Sequence, residues 1–211
     1  HLNFDGIDLL AASEAELRRI RGRRISMVLQ DPKFSLNPIM KVGEQIAEAC
    51  RLHERLSRAQ AHDKALNMLE AVRIRDPKRV FDAYPHEVSG GMGQRIMIAM
   101  MLAPDPDLLI ADEPTSALDV TVQLQVLAIL DDLVSRRGMS LIFISHDLKL
   151  VSSFCDRVLV MYGGKVVEEC TASRLSEAKH PYTQGLLACL PKVDGRHGLL
   201  PTLRRDPAWL A

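Results

Sequence analysis

The chain has 211 residues, of which 47% are hydrophobic, and its 27 basic and 27 acidic residues cancel to a formal net charge of zero. A chain of this length accommodates one large domain, or a core with a subdomain. The neutral charge argues against a nucleic-acid partner, and the lack of any run of about 20 apolar residues argues against a membrane-spanning helix.

The first part of the chain predicts a helix, a strand and a loop. A capping-box pattern that begins at Ser13 predicts a helix over residues 14–21. The apolar run 25–29 is typical of a short buried strand, and it ends at Gln30. Prolines in the following residues break the chain into a loop.

The next part predicts a helical insert. Residues 42–72 have a helical pattern that indicates two helices, the second capped by Ser57 and Gln60. A short third helix is predicted near residues 77–81. The span 35–90 is therefore interpreted as a helical insert between two parts of an α/β core.

The core resumes after the insert. A helix over residues 93–102 precedes a strand over 108–112, a helix over 120–136 and a strand over 140–145. Two apolar strands joined by a long helix indicate a parallel βαβ unit.

The last part predicts a hairpin and a helical tail. Residues 158–168 read as a β-hairpin that turns at Gly163 and Gly164. Helical turns are predicted over residues 172–178 and again up to residue 190, and an extended segment follows.

Two adjacent carboxylates, Asp112 and Glu113, stand at the end of the first strand of the βαβ unit. Ligands bind at the carboxyl edge of open α/β sheets. Paired carboxylates there suit phosphoryl transfer, because one can hold magnesium and the other can orient or deprotonate the attacking water. An acidic turn after a strand is the ordinary structural explanation of the same pair.

Ser89, Gly90 and Gly91 precede a predicted helix. The N-terminus of a helix attracts phosphate, and glycines let the backbone approach an anion closely. Taken alone, a simple turn with an N-cap explains these residues as well.

Two further polar residues end predicted strands. His146 follows the second strand of the βαβ unit, and Gln30 follows the strand near the start of the chain. Either side chain could hydrogen-bond a γ-phosphate or an attacking water, and either could be an ordinary polar strand end.

In their order and spacing these motifs resemble those of the ATP-binding subunits of ABC transporters. The matching motifs are the Q-loop at Gln30, the signature at residues 89–94, Walker B at 108–113, the D-loop at 116–119 and the H-loop at His146. Met92 within the signature and the tail sequence that begins with His180 and Pro181 are similar to the oligopeptide, dipeptide and nickel importer branch.

The resemblance implies a fold class and a domain organisation. The implied fold is an α/β P-loop NTPase (RecA-like) core with an α-helical ABC subdomain and a C-terminal extension. The implied parts are a first core segment (1–34), a helical subdomain that ends in the signature (35–92), a second core segment (93–170) and an importer-type tail (171–211).

The resemblance also implies the cofactors ATP and Mg²⁺ and a role for each motif. Glu113 would be the general base, and Gln30 and His146 would sense the γ-phosphate as part of the catalytic set. Magnesium would be held by Asp112 and Gln30. The residues implied to contact nucleotide are Ser89, Gly90, Gly91, Met92 and Asp119.

The implied function is ATP hydrolysis that drives import of peptides, nickel or similar small solutes. The implied partners are a second ATP-binding subunit in a head-to-tail dimer, two transmembrane permease subunits and a separate solute-binding protein, with no nucleic acid. The implied location is the cytoplasmic face of the inner membrane. Two alternatives remain: an ABC subunit of a phosphonate-degrading complex and a soluble ABC protein outside transport.

One expected motif is not in the sequence. The phosphate-binding Walker A loop, G-x-x-x-x-G-K-[ST], does not occur, and the chain begins at His1 instead of Met. We therefore expect the chain to be an N-terminally incomplete cassette that neither binds ATP tightly nor hydrolyses it alone. The loop at residues 31–43 is expected to receive the membrane subunit, with Phe34 and Leu36 as contacts.

Overall fold

A computed structural model describes residues 1–31, 35–116 and 118–190, together with Leu203, Asp206 and Trp209. The chain divides into two units, His1–Ile144 and Ser145–Ala211, and each is described by itself.

The first unit begins with a small hairpin and a capped helix. Strands β1 (Asn3–Phe4) and β2 (Ile7–Asp8) pair antiparallel. Helix α1 (Glu14–Ile20) starts after the predicted capping box, in which Ser13 and Glu16 bond each other's backbone N–H. The pattern therefore predicted this helix correctly, whereas the hairpin before it carries no strong sequence signal.

A three-stranded parallel sheet forms the centre of the first unit. Its strands are β3 (Ile25–Val28), β4 (Leu108–Asp112) and β5 (Ser140–Ile144), with β4 in the middle. Helix α6 (Val120–Arg137) connects β4 to β5 and ends at Gly138 in a left-handed conformation, so the predicted βαβ unit is confirmed.

The two faces of this sheet differ in burial. Val28, Leu109 and Ala111 are completely buried on one face. On the other face Met27 is 40% exposed and Ile142 is 49% exposed. The core of the unit therefore lies on one side of the sheet.

The helical layer consists of helices α2 (Val42–Glu54), α3 (Arg58–Ala71), α4 (Pro77–Asp82) and α5 (Gly90–Leu102). A single turn of 3-10 helix, Pro85–Glu87, lies between α4 and α5. The apolar faces of α2, α3 and α5 bury Ile46, Leu69 and Ile96, respectively. The predicted helical insert is present, in agreement with its 3.6-residue pattern.

An ion-pair network connects this layer to the residues between α5 and β4. The Nζ of Lys64 lies 2.6 Å from a carboxylate oxygen of Glu54 and 2.6 Å from one of Asp105. Asp105 also pairs with Arg137 at 2.5 Å, and Arg137 donates to the carbonyl of Leu102. Helices α2, α3 and α6 and the loop between α5 and β4 are therefore joined through one set of charges.

The second unit contains a helix, a hairpin and a tail. Helix α7 (Leu148–Phe154) is followed by the antiparallel strands β6 (Arg157–Tyr162) and β7 (Lys165–Thr171). A 3-10 segment, Ala172–Glu177, leads to helix α8 (Pro181–Ala188). The predicted hairpin and tail helix are present, and the predicted extended segment lies mostly outside the described residues.

Two elements differ from the sequence predictions. The helix predicted over residues 93–102 starts earlier, at Gly90, because the Ser89 side chain caps it by accepting the N–H of Met92. Helix α7 was not predicted, although Asp147 caps it by accepting two N–H groups.

Candidate functional site

Glu113 follows β4 in a left-handed backbone conformation, with φ of 43°. Its N–H donates to the carbonyl of Ile144 at 3.0 Å, and its own carbonyl accepts from the N–H and hydroxyl of Ser116 at 3.2 Å each. Non-glycine residues rarely adopt this conformation, and strained backbone concentrates at functional sites when its surroundings hold it in place. Hydrogen bonds on both sides therefore fix the direction in which Glu113 leaves the strand.

Gln30 contacts the Glu113 side chain directly. Its Nε2 donates to Oε2 of Glu113 at 3.2 Å. The contact forms because β3 and β4 are parallel neighbours, with Val28 opposite Ala111, so the residues after both strands meet at the same edge. The structure thus brings together two of the residues predicted for catalysis, across 83 positions of the chain.

Asp112 is the last residue of β4 and is half-buried, beside Glu113 in sequence. No group of three or more His, Cys, Asp or Glu side chains within residues 1–31, 35–116 and 118–190 is arranged to hold a metal ion. Asp112 and Gln30 together offer a carboxylate and an amide oxygen. Mg²⁺ typically takes one or two carboxylates from the protein and the remaining ligands from phosphate and water.

The N-terminus of α5 carries the glycine-rich motif. A Cβ added at Gly90 would meet no atom within 4 Å, so this position is open. A Cβ added at Gly91 would lie 2.7 Å from Cγ1 of Val122, so Gly91 permits the close approach of α5 to α6. Gly90 is therefore free to face an anion, whereas Gly91 has a packing role as well.

Arg95, which follows the motif, holds the start of α5 in place through two hydrogen bonds. Arg95 donates from Nε to the carbonyl of Gly91 at 3.2 Å and from Nη1 to the carbonyl of Arg73 at 2.9 Å. Burial lowers the pKa of the Arg95 guanidinium, and the nearby Arg75 lowers it further. The sequence analysis assigned no role to Arg95, which connects the signature turn to the end of α3.

A cavity of about 470 Å³ lies beside the motif and the end of β3. It is open to solvent on one side and is lined by the following residues: Gln30, Asp31, Leu36, Pro38, Pro85, His86, Val88, Ser89, Gly90, Gly93, Gln94, Pro114 and Leu118. The predicted Q-loop, signature and D-loop residues therefore border one space within the first unit.

Asp119 and His146 lie in different parts of the molecule. Asp119 caps α6, since its Oδ1 accepts the N–H of Val122 at 3.0 Å. His146 is exposed in the second unit, one residue before the Asp147 cap of α7. Its predicted role, like the others, stays a prediction.

Leu36, a predicted contact in the loop after Gln30, lines the cavity. It is only 5% exposed, and its role as a contact stays a prediction. In the described part of this loop, Ile39 is an apolar side chain that is 82% exposed. Phe34, the other predicted contact, lies outside the described residues.

Comparisons with known proteins agree with this geometry. Residues 1–116, more than half of the chain, match the ABC transporter family. The chain belongs to the ABC transporter family, which confirms the resemblance drawn from its motifs.

Its curated relatives are longer proteins. A probable peptide ABC transporter ATP-binding protein of Sinorhizobium fredii is 52% identical over 95% of this chain and 60% of its own length. The oligopeptide transport ATP-binding protein OppD of Bacillus subtilis is 50% identical over 90% of this chain and 54% of its own. The chain thus spans little more than half the length of these relatives.

Solved structures show the same fold. The ATP-binding cassette MJ0796, a dimer in a post-hydrolysis state bound to ADP and Pi, superposes with a TM-score of 0.71 and 27% identity. The match covers 80% of this chain and 72% of that one. A second structure, cbiO1 of Clostridium perfringens, has the same TM-score at 25% identity, over 83% of this chain and 67% of that one. The predicted fold class, an α/β P-loop NTPase of the ABC type, is confirmed.

No helix in the described part of the chain is both long enough and apolar enough to cross a membrane.

Proposed function

We propose that the chain belongs to the ATP-binding and ATP-hydrolysing subunit of an ABC importer for peptides or similar small solutes, and that it needs a Walker A loop, which its own sequence does not contain, to bind ATP tightly. Membership of the family supports the ATPase activity. The relatives named for oligopeptide transport and for glutathione import, the latter 48% identical over 91% of this chain, support a peptide-like solute.

The observation that carries the proposal is the arrangement of Glu113. Its left-handed backbone, held by Ile144 and Ser116, points the carboxylate away from the line of β4 and toward Gln30. A general base must be fixed within hydrogen-bond reach of the proton that it removes. We assign Glu113 as the base that takes a proton from the attacking water, with Gln30 as the hydrogen-bond partner that orients it.

Asp112 and Gln30 are assigned to the magnesium that accompanies ATP. Their oxygen donors fit a hard cation that also binds the phosphates of the nucleotide. When bound, the ion neutralises negative charge that develops on the transferred phosphoryl group. Asp112 lies one residue before Glu113, so both carboxylates are at the same strand end.

The glycine-rich turn at the start of α5 is assigned to a second nucleotide. Ser89, Gly90, Gly91 and Met92 begin a 13-residue helix, whose N-terminus favours phosphate. In this assignment they contact ATP held by the opposite subunit of a head-to-tail dimer, and Asp119 lies in the loop between the subunits. The exposed His146 is assigned to the γ-phosphate.

An importer requires further partner proteins besides the second ATP-binding subunit. Two membrane-spanning subunits would bind the loop after Gln30, and a separate protein would deliver the solute. The protein would lie on the cytoplasmic face of the inner membrane.

Glu113→Gln tests the proposal. In the full-length protein it should lower ATP turnover by about 100- to 10,000-fold, because Gln keeps the size and polarity of Glu but accepts no proton at neutral pH. Binding of ATP, measured by titration calorimetry, should stay within about threefold, which corresponds to less than about 1 kcal/mol.

The matched control is Glu48→Gln, on the exposed side of α2. It should leave both turnover and ATP binding unchanged. Turnover of Glu113→Gln within a few-fold of the parent would assign the base to another residue.

A further inference from the structure

A tight turn, Asn37 to Met40, follows the predicted Q-loop. The N–H of Met40 donates to the carbonyl of Asn37 at 3.2 Å, and the N–H of Ile39 donates to the Asn37 side chain at 3.2 Å. Asn at the first position and Pro38 at the second are the residues that such turns favour. The turn therefore has a defined backbone of its own.

Gln45, in the first turns of α2, binds the backbone of this turn with its whole amide group. Its Oε1 accepts the N–H of Asn37 at 2.8 Å. Its Nε2 donates to the carbonyl of Asn37 and to the carbonyl of Met40, at 2.9 Å each. One side chain thus satisfies three backbone groups at the two ends of the turn.

The burial of Gln45 makes these bonds important. Gln45 is 6% exposed, so its amide has little access to water and depends on the turn for hydrogen bonds. The start of α2 is itself fixed, because the N–H of Val42 donates to the carbonyl of Ala83 and Lys41 pairs with Asp82 at 2.9 Å. The turn is consequently attached to the helical layer through Gln45.

The apex of the turn presents an apolar side chain to solvent. Ile39 is 82% exposed, whereas Leu36, just before the turn, is buried. An isolated exposed apolar residue is common on protein surfaces. Here, however, the backbone that carries it is held by a buried side chain.

We propose that Gln45 is a positioning residue, which holds the Asn37–Met40 turn so that Ile39 is presented to the membrane-spanning subunit. The inference rests on the proposed importer function and adds to it the residue that sets the shape of the contact. Gln45 itself does not touch the partner. It acts by keeping the turn in one conformation, which lowers the ordering cost of binding.

The first experiment measures the turn directly. Hydrogen exchange of the Asn37 amide in Gln45→Leu should be at least tenfold faster than in the parent, because the buried acceptor is lost. Cys50→Ala is the matched control, since Cys50 is fully buried on the same helix as Gln45. Unchanged exchange of Asn37 in Gln45→Leu would overturn the proposal.

The second experiment measures binding of the full-length protein to its cognate membrane-spanning subunits in nanodiscs. Ile39→Ala and Gln45→Leu should each weaken binding about tenfold, and the double variant should be no weaker than the worse single variant within about twofold. Pro38→Gly, which loosens the turn without altering a buried residue, should weaken binding as well. Cys50→Ala should bind like the parent.

The outcomes separate the two proposals. If Ile39→Ala weakens binding but Gln45→Leu and Pro38→Gly do not, the contact exists and the positioning role is wrong. If the losses of binding free energy caused by Ile39→Ala and Gln45→Leu add fully in the double variant, Gln45 does not act through Ile39. If all variants bind like the parent, the loop is not the membrane contact, and that part of the proposed function fails.

Discussion

In the helical layer close packing of side chains sets the geometry, whereas at the carboxyl edge of the sheet hydrogen bonds hold a strained backbone. Gly43 of α2 lies so close to Phe81 of α4 that an added Cβ would fall 2.1 Å from the ring. Glu113, by contrast, has an unfavourable φ of 43°, which its backbone hydrogen bonds hold in place.

Within the first unit, the helical layer contributes to stability, whereas the sheet edge carries the proposed catalytic residues. The helical layer gains free energy from burial, so its residues tolerate little change in volume. The sheet edge keeps a conformation that costs free energy, because that conformation directs a carboxylate. A substitution that enlarges a packed contact of the helical layer should therefore lower stability, whereas one that relieves the strained backbone at the sheet edge should raise it.

The largest effect on stability is expected at Gly43. Gly43→Ala should lower the free energy of unfolding by about 2–3 kcal/mol, because the added methyl group overlaps the Phe81 ring and one of the helices must move. Urea denaturation measures the change. Combining it with Phe81→Leu should recover part of the loss, since the two substitutions share one contact.

Gly90→Ala is the control for this prediction. A Cβ at Gly90 meets open space, so the same substitution should raise stability slightly through helix propensity, by up to about 1 kcal/mol. Equal losses at Gly43 and Gly90 would mean that the contact with Phe81 is not the cause.

A smaller effect of opposite sign is expected at Glu113. Glu113→Gly should raise the free energy of unfolding by about 0.5–1 kcal/mol, because glycine adopts the left-handed conformation without the Cβ penalty. Glu113→Gln keeps the Cβ and should change stability by less than about 0.5 kcal/mol. Both variants should lose ATP turnover. A glycine variant less stable than the glutamine variant would show that the backbone here is not strained.

The smallest effect on stability is expected at Glu168, a carboxylate in the second unit that accepts backbone N–H hydrogen bonds. The N–H groups of His180, at 2.6 Å, and Lys179 lower the pKa of Glu168 below its ordinary value. The stabilisation is therefore present above the pKa of an unfolded carboxyl, about 4.3, and is lost as the pH falls through the lower folded value.

Fluorescence of Trp209, the single tryptophan, can follow this loss, because its ring packs on Tyr162 and Tyr182 in the same unit. Glu168→Gln should weaken the acid dependence of unfolding below about pH 4.3. Glu169→Gln, whose carboxylate instead pairs with Arg157 on the surface, should leave it intact. Identical acid transitions in the two variants would exclude this role of Glu168.

Local signals in the sequence determined where many elements begin and end. Ser13, Ser57 and Asp119 each accept the N–H of the residue three positions later. Because such a contact is local, the sequence pattern predicts it directly. The order of motifs was enough to predict the family and the fold class. The α/β core followed from the apolar strands on either side of a long helix.

Only the tertiary structure decided which residues that are distant in sequence contact each other. The bond between Gln30 and Glu113 joins positions 83 residues apart, and it exists only because β3 and β4 pair in one register. Leu36 and Ile39 are both apolar residues of one loop, but the fold buries Leu36 and exposes Ile39. Gln45 is indistinguishable in sequence from a surface residue, because its role depends on a turn folding back over α2 to meet its amide. Such contacts depend on how separate segments pack, which composition and periodicity do not specify.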